Sequence, residues 1–197
     1  MPTQSYHERT LVLLKPDSVQ RGLVGRILTR FENAGLKIAG LKIVQPSRDF
    51  IANHYPNTPD WIRGMGEKTL ANYKEQNKDP FQEIGTDDAM KIGQMIVQWN
   101  IDYLSMGPIV AIVLEGGHAI QVVRKLVGHT LPLNAAPGTI RGDFSTASPA
   151  IANALRHSIH NMIHASSTVD EAEYEIAHWF SGDPLVNYKR TDEDVLF

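Results

Sequence analysis

The sequence predicts an α+β protein. The expected form is a ferredoxin-like α/β sandwich: an antiparallel sheet in β-α-β-β-α-β order, helices packed on one side, and a helical segment inserted at about residues 56–105. Three observations carry this. Short apolar runs rich in β-branched residues recur, bounded by Gly or Pro. Stretches of helical periodicity separate them. Between the second and third runs the composition shifts to Asn, Asp, Pro and Lys.

"RTLVLL" (9–14) reads as a buried strand stopped by Pro16. In "GLVGRILTRFENAG" (22–35), Leu23, Ile27, Leu28 and Phe31 make one helical face, and Gly35 is a natural C-terminal cap. "LKIAGLKIVQP" (36–46) returns as a strand, and 50–55 form a helical turn. The 56–105 segment holds two helices, "WIRGMGEKTLANYKEQ" and "DDAMKIGQMIVQWNIDYLS". In the second, Met90, Ile92, Met95, Ile96, Trp99 and Tyr103 mark an apolar side. "PIVAIVLEG" (108–116) is the clearest strand. "HAIQVVRKLVG" (118–128) is a helix ending at Gly128, and "HTLPLNAAPGTIRGDFS" (129–145) a long loop. Residues 149–160 read as helical, "NMIHAS" as a short strand, "VDEAEYEIAHWF" (169–180) as an amphipathic helix, and the tail from 181 as a loop.

A length of 197 residues fits a single domain over 1–197 that includes the insertion. Apolar content of 42% and charged content of 21% are ordinary for a soluble globular protein. The net charge of −3 makes no electrostatic case for nucleic-acid binding. The absence of cysteine excludes disulfides, thiolate metal sites and cysteine nucleophiles, and fits a reducing compartment. No apolar run approaches the roughly 18 residues needed to span a bilayer. "MPTQSYHER" has no signal-peptide core. The expectation is a cytoplasmic protein without a membrane partner.

Four stretches bear on chemistry. His157, His160 and His164 stand at i, i+3 and i+7. On one helix they would share a face and suit zinc, copper or iron. The nearby acids begin only at Asp170, and a turn near Asn161 would splay the rings. His157 and His160 then read as solvated helix residues. "GMGEKT" (64–69) has phosphate-loop residue types at the wrong spacing and follows no strand, so it reads as a loop and helix start. In "APGTIRGD" (136–143), Arg141 sits in a tight loop, as a phosphate fork or as a solvated turn arginine. Lys15 ends a buried strand, where it either faces a polar cleft as an anion ligand or snorkels to the surface.

Together, "ERTLVLLKPDSVQRGLVGRIL", "HY", "GPIVAIVLEG", "VRKLVGHT", "PGTIRGDFS" and "NMIHASSTVDEAEYEIAHWF" resemble the nucleoside diphosphate kinases. The resemblance covers 8–55, 106–143 and 161–188. It implies transfer of a γ-phosphoryl group from a nucleoside triphosphate to a nucleoside diphosphate, by a ping-pong route through a phosphohistidine on His164. By the same resemblance Lys15 neutralises phosphate charge and touches the ribose, and Tyr55 positions His164 and Lys15. Arg124 and Thr130 hold the β-phosphate, Arg141 reaches the transferred phosphate, and Asn161 binds the ribose. Glu175 accepts a hydrogen bond from the imidazole nitrogen that does not attack, and Ser166 supports that carboxylate. Mg2+ arrives on the nucleotide without dedicated protein ligands, and the chain forms a homo-oligomer, a hexamer or a tetramer of dimers.

Three departures stand out. The family has Gly-Ser-Asp after the histidine, whereas this chain has Ala165, Ser166 and Ser167. The aromatic that stacks on the base falls in the insertion. Trp61 is the candidate, against a role in the core of the inserted hairpin. Roughly ten extra residues also precede Asn161, so the wall of the base pocket differs. Competing functions are a nucleotide-binding relative without turnover, a metal-dependent hydrolase built on the histidines, and a nucleic-acid-binding ferredoxin-like domain.

Overall fold

The computed structural model describes residues 6–193. Four strands, β1 (His7–Leu14), β2 (Lys37–Val44), β3 (Ile109–Gly117) and β4 (Ile163–Ala165), form one sheet in the order β2-β3-β1-β4. Every pairing is antiparallel, with Leu11 opposite Val113 and Leu13 opposite His164. Alternate residues along β1 and β3 face opposite sides, and both sets are apolar, so both faces need a cover.

On one face, Val12, Leu14, Ile112 and Leu114 pack beneath α2 (Val24–Asn33) and α7 (Ala119–Val127). On the other, Leu11, Leu13, Ala111 and Val113 pack beneath α6 (Ala89–Ser105), α10 (Val169–Trp179) and the short α3 (Arg48–Ala52). Helices therefore lie on both sides of the sheet, not on one as the element order alone suggested.

The segment between β2 and β3 is helical. α4 (Pro59–Glu75) and α5 (Pro80–Ile84) precede α6, and Tyr73, Ile84 and Ile92 give the three helices a small core of their own. α4 begins two residues before Trp61, at a Thr58 cap whose hydroxyl accepts the Trp61 N–H. "GMGEKT" is thus interior helix, not a loop. Its Gly66 is where α4 crosses α6: a methyl group there would meet the Ala89 carbonyl oxygen at 1.8 Å. Gly93 makes the reciprocal approach: a methyl group there would meet the Ile62 carbonyl oxygen at 2.0 Å.

The long loop 129–145 is also more ordered than its composition suggests. It holds a 3-10 turn at Pro132–Asn134 and a short helix, α8 (Ile140–Phe144), capped by Thr139. The next helix, α9 (Pro149–Ala154), stops well before residue 160. α1 (Pro16–Gln20) follows β1 directly.

Candidate active site

The site lies where β1 ends beside β4. Proline at the first position of α1 stops the strand and starts the helix, which leaves Lys15 as an extended N-cap residue between them. Its ammonium donates to Oδ1 of Asn161 at 2.7 Å. The amide nitrogen of Asn161 donates in turn to the Thr130 carbonyl at 3.1 Å. Burial, and then the Arg141 charge, bring the Lys15 pKa down to about 7 against the opposing pull of Asp17. The lysine lines the cleft and does not snorkel out to bulk water.

β4 places the histidine. Ile163 and Ala165 point into the core under α2 and α7, so His164 points the other way, toward α10 and the cleft. On α10, Glu175 is 3% exposed. Its Oε1 lies 2.7 Å from Nε2 of His164, and its Oε2 accepts the Ser166 hydroxyl at 2.6 Å. Burial, Lys15, Arg141 and Arg124 hold His164 well below the usual imidazole range, so the ring is neutral at pH 7. With Nε2 engaged by Glu175, Nδ1 is the nitrogen left to react.

A second imidazole backs the first. The His54 ring meets His164 edge to face, with centroids 4.9 Å apart, and its Nδ1 accepts the Trp179 indole N–H at 3.2 Å. Nothing in the sequence pattern singled it out beyond its place before Tyr55. Tyr55 itself lines the cleft and stacks on Trp61, with centroids 5.6 Å apart. The ring contact on His164 thus comes from His54, not Tyr55.

The cationic end is built from α7 and α8. Arg141 is buried, and its three guanidinium nitrogens donate to the carbonyls of Asn161 (3.1 Å), Gly128 (3.0 Å) and Ile163 (2.5 Å). Burial and Arg124 lower its pKa to about 10, which leaves it charged at pH 7. It is therefore no solvated turn residue, and two of its five N–H groups are left for an anion. Arg124 and Thr130 are exposed at the same wall.

A cleft of about 900 Å³ joins these groups to the inserted segment. Trp61, Lys68 and Thr69 of α4 line one side, and Asn153 of α9, His157 and Ser158 the other. The histidine run does not share a helix face. His157 and His160 lie beyond α9, half-buried, with rings stacked at 4.6 Å, and His160 stacks on Tyr103 at 4.4 Å. They are neither solvated helix residues nor co-ligands of His164. Among the described residues, His54, His164 and Glu175 bring donor atoms within 4.8 Å of one another. Hydrogen bonds already hold these side chains, and two nitrogens with one oxygen do not suit Mg2+.

At the rim, Ser167 stands where the resemblance expects Asp. Glu171, one turn into α10, accepts both its N–H (2.7 Å) and its hydroxyl, so a carboxylate still sits at this corner. The serine-to-glutamate spacing of four was the available signal in the sequence.

The profile of the nucleoside diphosphate kinase family matches residues 8–60 and 89–185. The chain belongs to the nucleoside diphosphate kinase family. It is 49% identical over 179 residues to the nucleoside diphosphate kinase of Pyrobaculum aerophilum, an alignment that covers 91% of this chain and 98% of the relative. A solved NDP kinase from the same organism superposes with a TM-score of 0.88 at 45% identity, covering 92% of this chain and all of that one. A nucleoside-diphosphate kinase from Borrelia burgdorferi, solved as a transition-state mimic with vanadate and ADP, gives a TM-score of 0.78 at 33% identity over 98% of both chains. As a member of the family, this chain departs from the profile at 61–88, which spans most of α4 and all of α5.

Proposed function

We propose that the chain is a nucleoside diphosphate kinase that carries the phosphoryl group on Nδ1 of His164. The observation that carries this reading is the pairing of Nε2 with Glu175, which leaves Nδ1 toward a cleft walled by Lys15, Arg124 and Arg141.

In the first half-reaction, Nδ1 attacks the γ-phosphorus of a nucleoside triphosphate. The N–P bond forms as the bond to the bridging oxygen breaks, and the nucleoside diphosphate leaves. In the second, a terminal phosphate oxygen of another nucleoside diphosphate attacks the same phosphorus and frees the imidazole. Because the two steps are mirror images, one set of residues serves both. Little beyond alignment and charge neutralisation is needed. Lys15 and Arg141 neutralise the transferring group, and Arg124 and Thr130 hold the phosphate before it. Glu175 keeps the proton on Nε2 and offsets charge on the phosphorylated ring, while Ser166 fixes the carboxylate. Asn161 and Lys15 exchange their mutual hydrogen bond for the ribose hydroxyls, and Trp61 stacks on the base.

Magnesium fits this site as part of the nucleotide. Among the described residues, Glu171 is the carboxylate that lines the cleft, beside Ser167, and the other charged groups there are cations and histidines. The ion would be held on the phosphate oxygens with Glu171 at hand, and it supplies charge neutralisation across them. No helix of the described residues is long and apolar enough to cross a membrane. The full reading is a cytoplasmic homo-oligomer, a hexamer or a tetramer of dimers, that interconverts nucleoside tri- and diphosphates.

The test is intact mass after mixing with a slight excess of ATP and magnesium. One acid-labile phosphoryl group, discharged by GDP and absent in His164→Ala, is the expected result. Bound nucleotide without a mass shift would make the chain a binding module.

A further inference from the structure

α6, where the match to the family profile resumes, reaches the catalytic corner through one buried residue. Tyr103 lies in the last turn of α6 and is 3% exposed. Its hydroxyl donates to Oδ1 of Asp17 at 2.7 Å and accepts the Met162 N–H at 3.1 Å. Met162 has φ of +67°, a left-handed conformation that a non-glycine residue keeps only where its surroundings impose it. The impositions are visible on both sides of the residue. Its carbonyl accepts the Lys15 N–H at 2.8 Å and the Ser18 hydroxyl at 2.7 Å, and its N–H goes to Tyr103. All three partners of its backbone belong to the β1–α1 junction or to α6.

This residue sits between the two groups whose aim matters most. Asn161 precedes it and reaches Lys15; His164 follows two residues later in β4. A change of φ at Met162 would swing one against the other. The tyrosine also touches Lys15 directly, with the ammonium 5.0 Å from the ring centroid. Packing alone would be served as well by phenylalanine. The hydroxyl is what joins the buried carboxylate of α1 to the strained amide.

We infer that Tyr103 is a positioning residue of the active site, whose hydroxyl locks the left-handed turn at Met162 and so sets Asn161 and His164 against Lys15. The inference rests on the phosphohistidine reading above. It makes α6 part of the catalytic scaffold as well as a cover for the sheet. It also accounts for the ring column that His160 and His157 build onto Tyr103, since the stack confines the ring whose hydroxyl is in use.

The test is single-turnover phosphorylation by ATP and magnesium in Tyr103→Phe, with the rate taken per nucleotide-binding site. Amide hydrogen exchange at Met162 is followed by NMR in both proteins. We expect phosphorylation about 10- to 100-fold slower per competent site, and a Met162 amide protected in the wild type and faster-exchanging in the variant. A wild-type rate per site in Tyr103→Phe, or a loss that only follows the fraction of binding-competent protein, would overturn the inference. So would an unprotected Met162 amide in the wild type, whatever the variant does. If the wild-type protein itself takes up no phosphate, the phosphohistidine reading fails first and takes this inference with it.

Discussion

Oε1 of Glu175 lies 2.7 Å from Nε2 of His164, and the other oxygen of the same carboxylate is held by Ser166 at 2.6 Å. A buried carboxylate with both oxygens engaged fixes the ring tautomer and leaves Nδ1 toward the cleft. Phosphorylated protein should therefore carry its phosphate on Nδ1, which the 15N chemical shifts of the labelled ring would distinguish from Nε2. Glu175→Ala should slow phosphorylation by about 100-fold and Ser166→Ala by about 10-fold, the lesser loss because the carboxylate itself stays. Equal losses would mean the serine does more than hold Glu175.

Lys15 gives the site a pH dependence of defined sign. With its pKa lowered to about 7, the free lysine has lost much of its charge by pH 8. A bound phosphate favours the charged form. Nucleotide binding at pH 8 should therefore take up a proton, and affinity should fall as pH rises above about 7. Calorimetry in buffers of different ionisation enthalpy measures the uptake. Lys15→Arg, charged throughout, should abolish it.

Trp61 is stacked on Tyr55 at the mouth of the cleft. If its other face takes the base, Trp61→Ala should raise the nucleotide KM by about 5- to 100-fold with kcat little changed, since a stacked base contributes about 1–3 kcal/mol. A lowered Tm with an unchanged KM would assign Trp61 to the packing of the inserted hairpin.

His54 ties stability to acid. Burial and the neighbouring His164 hold its pKa well below the ordinary imidazole value. Below about pH 6.5 the unfolded chain gains a proton there that the folded chain refuses, so the folded form loses about 1.4 kcal/mol per pH unit at this position. His54→Phe should lower the Tm at pH 7, because the Trp179 indole N–H loses its acceptor. Its Tm should then fall less steeply than that of the wild type between pH 6.5 and 5. Parallel curves would show that His54 is not the group responsible.

Much of the architecture was legible in the chain. The apolar runs of β1 and β3 and the amphipathic faces of α2, α7 and α10 are local patterns, and each implies its element without reference to the others. Taken singly, Lys15 and Arg141 each left two readings open, and the family resemblance is what singled them out together with His164. By itself the sequence thus determined the element order and the antiparallel sheet. Only the tertiary structure decided that helices cover both faces of the sheet, that His157 and His160 stack on Tyr103 and do not accompany His164, and that His54, Glu171 and Tyr103 belong to the site. The reason is physical: Tyr103 stands 86 residues from Asp17 and 59 from Met162. No periodicity records a contact between elements so far apart in the chain; packing against the shared sheet creates it.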